Sequence, residues 1–316
     1  MVRALGVLAA AVVLAACGSF EDPTRVIDLR VLAIQASPPE VVVDFDPDNP
    51  AAVVPQLDSN PVTVRVLAAD PGATRRLQWD MVVCPPTDSK RCDEPDDPVE
   101  TIASGVVGDP ESAATEDAPS ATFVVGLDVL EASLAADSLA GFGGIAVQVQ
   151  VRVWPEGHED EAQYAAKQVL YSPRAPAERV ANANPSLGSL TVDDGSGATV
   201  APGRCADPAA PRLDVAANAD LKVLPVEPDG VRETYVLPTF DGGTRRITEN
   251  LRYAWYASAG SWSAGSSGGP IDAFGNPAPL DSTWTAPDDP GDVQMWLVQR
   301  DERGGAAWTE FCLHVP

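Results

Sequence analysis

Residues 145–154, IAVQVQVRVW, alternate apolar and polar side chains more cleanly than any other stretch of the chain. A period of two sends successive side chains to opposite faces, so the run predicts a strand with one face in a core. Residues 26–36 (VIDLRVLAIQA) read the same way, with Ile27, Leu29, Val31 and Ala33 on one face and Asp28, Arg30 and Leu32 on the other. Pro38 and Pro39 stop that run. Further strands are predicted over residues 40–44, 61–69, 76–83, 120–127 and 163–171. Short strands at this spacing, separated by turn residues, predict a β-sandwich. Residues 128–140 (DVLEASLAADSLA) differ: Val129, Leu130, Leu134 and Leu139 approximate helical spacing, which predicts a short helix inserted in this sandwich.

Residues 173–185 (PRAPAERVANANP) combine prolines with small side chains and read as a linker with little to pack. Beyond it, strands are predicted over residues 189–192, 212–216, 220–226, 232–237, 251–258, 293–300 and 306–315. The expected organisation is therefore a first sandwich over residues 27–172 and a second over residues 186–316.

The halves share an internal repeat. The strand around Trp79 corresponds to Tyr253-Ala254-Trp255. Each is followed by a long hairpin: IAVQVQVRVW with QYAAKQVLYS in the first half, VQMWLVQR with AAWTEFCLHV in the second. The extra length between tryptophan and hairpin in the first half falls on residues 84–144. A tryptophan strand followed by a terminal hairpin resembles bacterial immunoglobulin-like domains. The resemblance implies an all-β fold of two tandem immunoglobulin-like β-sandwiches.

The N-terminus carries a second resemblance. Arg3 precedes an apolar run from Ala4, and Leu14-Ala15-Ala16-Cys17 closes it. Residues 4–16 are too few to cross a bilayer core of about 30 Å, which needs roughly 20. A charged start, a short apolar run and small residues at its end mark a removed signal. L-A-A-C resembles the lipobox of bacterial lipoproteins. That implies cleavage of residues 1–16, lipidation of Cys17 with a palmitate-type acyl anchor, and a short tether over residues 17–26. It further implies a cell-envelope location. By the sorting rule of the lipoproteins it resembles, the absence of Asp directly after the cysteine implies the outer membrane, on its periplasmic or surface face.

The 316 residues carry a formal charge of −25. Such a field repels phosphate backbones, so nucleic acid is excluded as a partner. It also disfavours anionic lipid surfaces, which leaves attachment to the lipid. With Cys17 lipidated, Cys84, Cys92, Cys205 and Cys312 remain, an even set suited to disulfides in an oxidising compartment. Of the three pairings, Cys84 with Cys92 and Cys205 with Cys312 keeps each bridge inside one sandwich. Zinc is excluded by the lack of C-x-x-C and by the presence of only 2 histidines.

Candidate chemistry is sparse. Gly265, Ser267 and Gly269 form a literal G-x-S-x-G, but a nucleophile elbow needs a strand before the serine, a helix after it, and Asp and His following. Here the surroundings are SAGSSGGP, read as a Gly/Ser loop. His158 sits among Glu159, Asp160 and Glu161 in an acidic turn. Asp44, Asp46 and Asp48 form D-x-D-x-D, but Asn49 and Pro55 stand where an EF-hand wants Gly and Glu. These aspartates are the one metal expectation, a loose Ca²⁺ site; no other cofactor is implied. Trp262 in its Gly/Ser loop, beside Tyr253 or Tyr256, is the candidate surface for stacking on a glycan or gripping a protein chain. The sequence thus predicts a non-catalytic, lipid-anchored structural or protein-binding module whose partner is an unidentified envelope protein or glycan. The alternative is a calcium-dependent adhesin or glycan-binding surface lipoprotein.

Overall fold

The computed structural model describes residues 22–45, 50–71, 75–108, 118–193 and 197–316. The first sandwich contains β1 (Arg30–Ser37), β2 (Glu40–Val43), helix α1 (Val54–Asp58), β3 (Val62–Ala69), β4 (Leu77–Cys84), β5 (Glu100–Val107), β6 (Ser120–Phe123), helix α2 (Leu127–Ala136), β7 (Ile145–Pro155) and β8 (Gln163–Pro173). The second contains β9 (Ser189–Val192), β10 (Thr199–Val200), β11 (Arg212–Asp214), β12 (Asp220–Val226), β13 (Thr234–Pro238), β14 (Thr244–Thr248), β15 (Arg252–Ala257), β16 (Ser261–Trp262), β17 (Ser266–Gly268), β18 (Ser282–Thr285), β19 (Gly291–Arg300) and β20 (Ala306–Val315).

The repeat is real at the level of topology. One sheet of the first sandwich runs β2-β8-β7-β4-β5, and one sheet of the second runs β11-β20-β19-β15-β17. In each, a short first strand pairs parallel with the last strand of the terminal hairpin, and all other pairs are antiparallel. The facing sheets are β1-β3-β6 and β10-β9-β12-β18-β16. Trp79 on β4 and Trp255 on β15 occupy equivalent places beside the hairpin. The chain is therefore mostly β, built as two immunoglobulin-like sandwiches with the short helix α2 in the first.

Each sandwich has its own core. In the first, Val147, Val149, Val151 and Val153 of β7 and Trp79 and Met81 of β4 face Val62, Val64 and Val66 of β3. In the second, Tyr253 and Trp255 of β15 and Met295 and Leu297 of β19 pack with Trp284 and Val223 of the opposite sheet. Both expected disulfides are present, Cys84 with Cys92 and Cys205 with Cys312.

The structure corrects several expectations. The alternation read over residues 26–36 does not hold as drawn. A register shift between Val31 and Ala33 breaks it, Ile27 is half-exposed, and Leu32 is buried instead. Leu32 and Ala33 turn to the second sandwich while Ile34 and Ala36 turn to the first core, so β1 is buried on both faces. Residues 173–185 are irregular but not a slack linker, because their polar groups are fixed to both sandwiches (below). Residues 22–26, expected as tether, are stitched to the second sandwich: Arg25 bridges Ala257, Val26 N donates to Ala257 O, and Ala257 N donates to Thr24 O. The Gly/Ser stretch around Ser267 is two short strands, β16 and β17, rather than a loop. Strands β5 and β14 were not predicted, since both are edge strands whose side chains stay largely in water.

Candidate functional site

A buried polar cluster lies where the sandwiches meet. It begins with Glu40, the first residue of β2, which is 1% exposed. Glu40 Oε1 accepts from Arg179 Nη2 at 2.8 Å and Nε at 3.2 Å. Its Oε2 accepts from Arg303 Nη2 at 2.5 Å and from the backbone N of Asn182 at 2.7 Å. Arg303 comes from the turn between β19 and β20, and its Nη1 reaches Glu233 at 3.3 Å. Its guanidinium also lies over the Tyr235 ring. Burial alone would raise the pKa of Glu40; hydrogen bonds from Ser172, Arg179 and Asn182 outweigh it and hold the carboxyl below its ordinary value. One carboxylate thus ties the first sandwich, the connecting segment and the second sandwich together.

The sandwiches also meet through an apolar seam. Val26, Leu32, Ala33, Leu67 and Ala69 pack on Trp296 and Val298 of β19. Their edges are closed by hydrogen bonds: Arg300 Nη2 to Leu32 O at 2.7 Å, Gln35 Nε2 to Ala306 O at 2.6 Å, and Ala306 N to Asn184 Oδ1 at 2.9 Å. Lys167 on β8 donates to Gly304 O. Its burial pushes the ammonium pKa down.

Glu249, before β15, is the second buried acid here. Its Oε1 accepts from Glu233 N at 3.0 Å and its Oε2 has no hydrogen-bond partner. Burial, reinforced by the nearby Asp301 and Glu233 carboxylates, raises its pKa to about 7, against opposition from the Glu233 N–H and Arg303. The folded protein therefore holds this proton more tightly than the unfolded chain. That stability is full below the ordinary carboxylate pKa of about 4.5 and is lost as pH rises through about 7. Unfolding free energy should fall by up to about 1.4 kcal/mol per pH unit in that window, a slope that Glu249→Gln flattens. Urea titrations of both proteins from pH 5 to pH 8 measure it.

The sequence-nominated residues fall elsewhere. Tyr253 is fully buried, its hydroxyl donating to Glu227 Oε1 at 2.8 Å, so it presents no ring to a ligand. Tyr256 packs against the apolar junction. Trp262 lies with its ring centroid 5.0 Å from that of Trp255, its Nε1 buried without a partner, and covers the second core. The three do not form an exposed stacking platform, because the core beneath them takes up their apolar faces. Ser267 is buried; it accepts from Trp255 Nε1 at 2.9 Å and donates to Leu280 O at 2.7 Å. His314 pairs with Asp292 on β19, two strands away from β17, and His158 pairs with Glu161. Asp44 is paired with Arg174 at 3.1 Å, while Asp46, Asp48 and Cys17 lie outside the described residues. Among the described residues no group of three or more His, Cys, Asp or Glu is placed to hold a metal ion. No described helix is long and apolar enough to cross a membrane.

Sequence reading missed Glu40, Arg179, Arg303 and Glu249. The one available signal was a charged residue, Glu40, opening an otherwise apolar EVVV strand behind two prolines.

Fold and junction together define a class: a two-sandwich β protein of immunoglobulin-like topology with a fixed inter-sandwich joint. No protein-family model matches the chain, and no curated protein matches its sequence. Among solved structures it is similar to Escherichia coli alpha-2-macroglobulin activated by porcine elastase, at 10% identity over 94% of this chain and TM-score 0.26. It is similar to red sea bream transglutaminase at 12% identity over 92% of this chain and TM-score 0.24. The native conformation of E. coli alpha-2-macroglobulin gives 10%, 93% and 0.26. The chain spans 22%, 32% and 17% of those three chains. Likeness at this level says nothing about activity.

Proposed function

We propose that this chain is a non-catalytic, lipid-anchored protein of the bacterial outer membrane that serves as a stiff structural or protein-binding module. The observation that carries this reading is the junction, where a buried carboxylate, two arginines and an apolar seam fix two sandwiches as one body. A fixed pair of sandwiches suits holding a partner at a set orientation. The attachment of residues 22–26 to β15 supports it further, since an anchor at Cys17 would then hold the second sandwich close to the membrane. The L-A-A-C sequence and the two disulfides support an extracytoplasmic address.

The test has two parts, both on the full chain in its native cells. Metabolic labelling with a palmitate analogue should mark the wild type, and Cys17→Ala should lose both the label and the membrane fraction. Cross-linking of the lipidated protein followed by mass spectrometry should return one stoichiometric envelope protein. An unlabelled wild type would overturn the anchor, and no specific partner would overturn the binding role.

A further inference from the structure

The first sandwich holds an apolar pocket of about 450 Å³ that the proposed function does not use. It is lined by residues of α2 and the start of β7, with Leu130 and Ile145 buried, and by Val53 and Phe45. Leu134, Leu139 and Phe142 also line it and stay partly exposed, at 38%, 52% and 37%. Large apolar side chains left half in water around a concavity mark a site where a ligand would remove that surface from solvent.

The wall is built in advance. Asp137, at the end of α2, accepts from Leu139 N through Oδ1 at 3.2 Å and from Gly141 N through Oδ2 at 2.6 Å. Phe142 N donates to Leu139 O, and Gly144 N donates to Gly141 O. The Phe142 ring is stacked on Phe240 of the β13–β14 hairpin at 4.8 Å.

The lining decides the ligand class. Among the described residues, the only charged side chain lining the pocket is Glu131. The neighbouring acids, Asp128 on α2 and Asp137 just after it, add negative charge, and the nearby Arg174 is paired with Asp44 at 3.1 Å. A mostly aliphatic cavity with no charge inside takes a hydrocarbon chain, and a carboxylate at its edge repels an anionic head.

We propose that this pocket binds a single free alkyl-chain amphiphile whose head is cationic or neutral, with Glu131 setting the preference against carboxylates. The lining comes entirely from the first sandwich, whereas residues 22–26 join the second, which favours a free amphiphile over the acyl chains of Cys17.

The experiment titrates the full chain with the neutral fluorescent probe N-phenyl-1-naphthylamine, then displaces it with dodecylamine, dodecanol or dodecanoate below their aggregation limits. One saturable site is expected, with dodecylamine displacing at roughly a tenth of the dodecanoate concentration. Glu131→Gln should erase most of that difference. Leu139→Arg, at a half-exposed position that tolerates a polar residue, should abolish binding with the melting temperature unchanged; Leu134→Lys provides the same check independently. Equal displacement by amine and carboxylate, or undiminished binding in both leucine variants, would overturn the proposal. Binding seen only in Cys17→Ala would assign the pocket to the protein's own lipid instead and equally overturn it.

Discussion

Glu40→Ala is expected to cost about 3–5 kcal/mol of stability, the usual range for removing one partner of a buried ion pair. The carboxylate is 1% exposed and accepts from Arg179, Arg303 and Asn182. Its loss leaves Arg179, whose side chain is 5% exposed, without its carboxylate, and leaves Arg303, at 11%, with Glu233 as its remaining partner. Arg179 Nη1 already lacks a hydrogen-bond partner. Urea unfolding followed by tryptophan fluorescence measures the loss, and a value under about 1 kcal/mol would place Glu40 outside the joint's energetics. The acid side provides an independent sign. Because its pKa is depressed in the folded state, the Glu40 contribution is present above about pH 4.5 and is lost as pH falls through the folded value. Wild type should therefore lose stability in acid more steeply than Glu40→Ala. Glu249 acts with the opposite sign in the same joint, weakening the fold as pH rises towards about 7 and beyond.

Removing the Cys205–Cys312 disulfide by double serine substitution is expected to cost about 5 kcal/mol, against about 2.5 kcal/mol for Cys84–Cys92. The difference lies in the unfolded chain. The first bridge spans 107 residues and the second 8, and the entropy removed by a cross-link grows with the logarithm of the loop it closes. Cys312 is also buried in β20, and the backbone N of Cys205 donates to Gln294 Oε1 on β19 at 2.7 Å. Opening the bridge frees the segment leading into β11, which pairs parallel with β20 along Arg212, Leu213 and Asp214. Thermal melts of the two double variants compare the effects directly, and equal losses would contradict the loop-length argument.

Much of the architecture was legible in the chain. The alternation over residues 145–154 became β7, with Ile145, Val147, Val149, Val151 and Val153 buried as the period requires. The tryptophan strand and its hairpin did repeat, and they form the same sheet order in both sandwiches. The helix read over residues 128–140 is α2, shortened because Asp137 takes extended dihedrals and caps the turn that follows. The candidate site was far less legible. Tyr253 was nominated for exposure and is buried, because its place on β15 points it inward and nothing in its neighbours announces that.

What the sequence by itself determined is local: where strands start and stop, which face of each looks inward, and which cysteines can pair within one sandwich. The tertiary structure decided the rest. A period of two assumes one wet face, and that assumption fails where another sandwich covers it, as on β1, β3 and β19. Leu32 and Trp296 lie in that seam, and no pattern within their own strands distinguishes it from solvent. Glu40 and Arg303 are 263 residues apart, and only folding brings the two charges to 2.5 Å in a place without water to screen them.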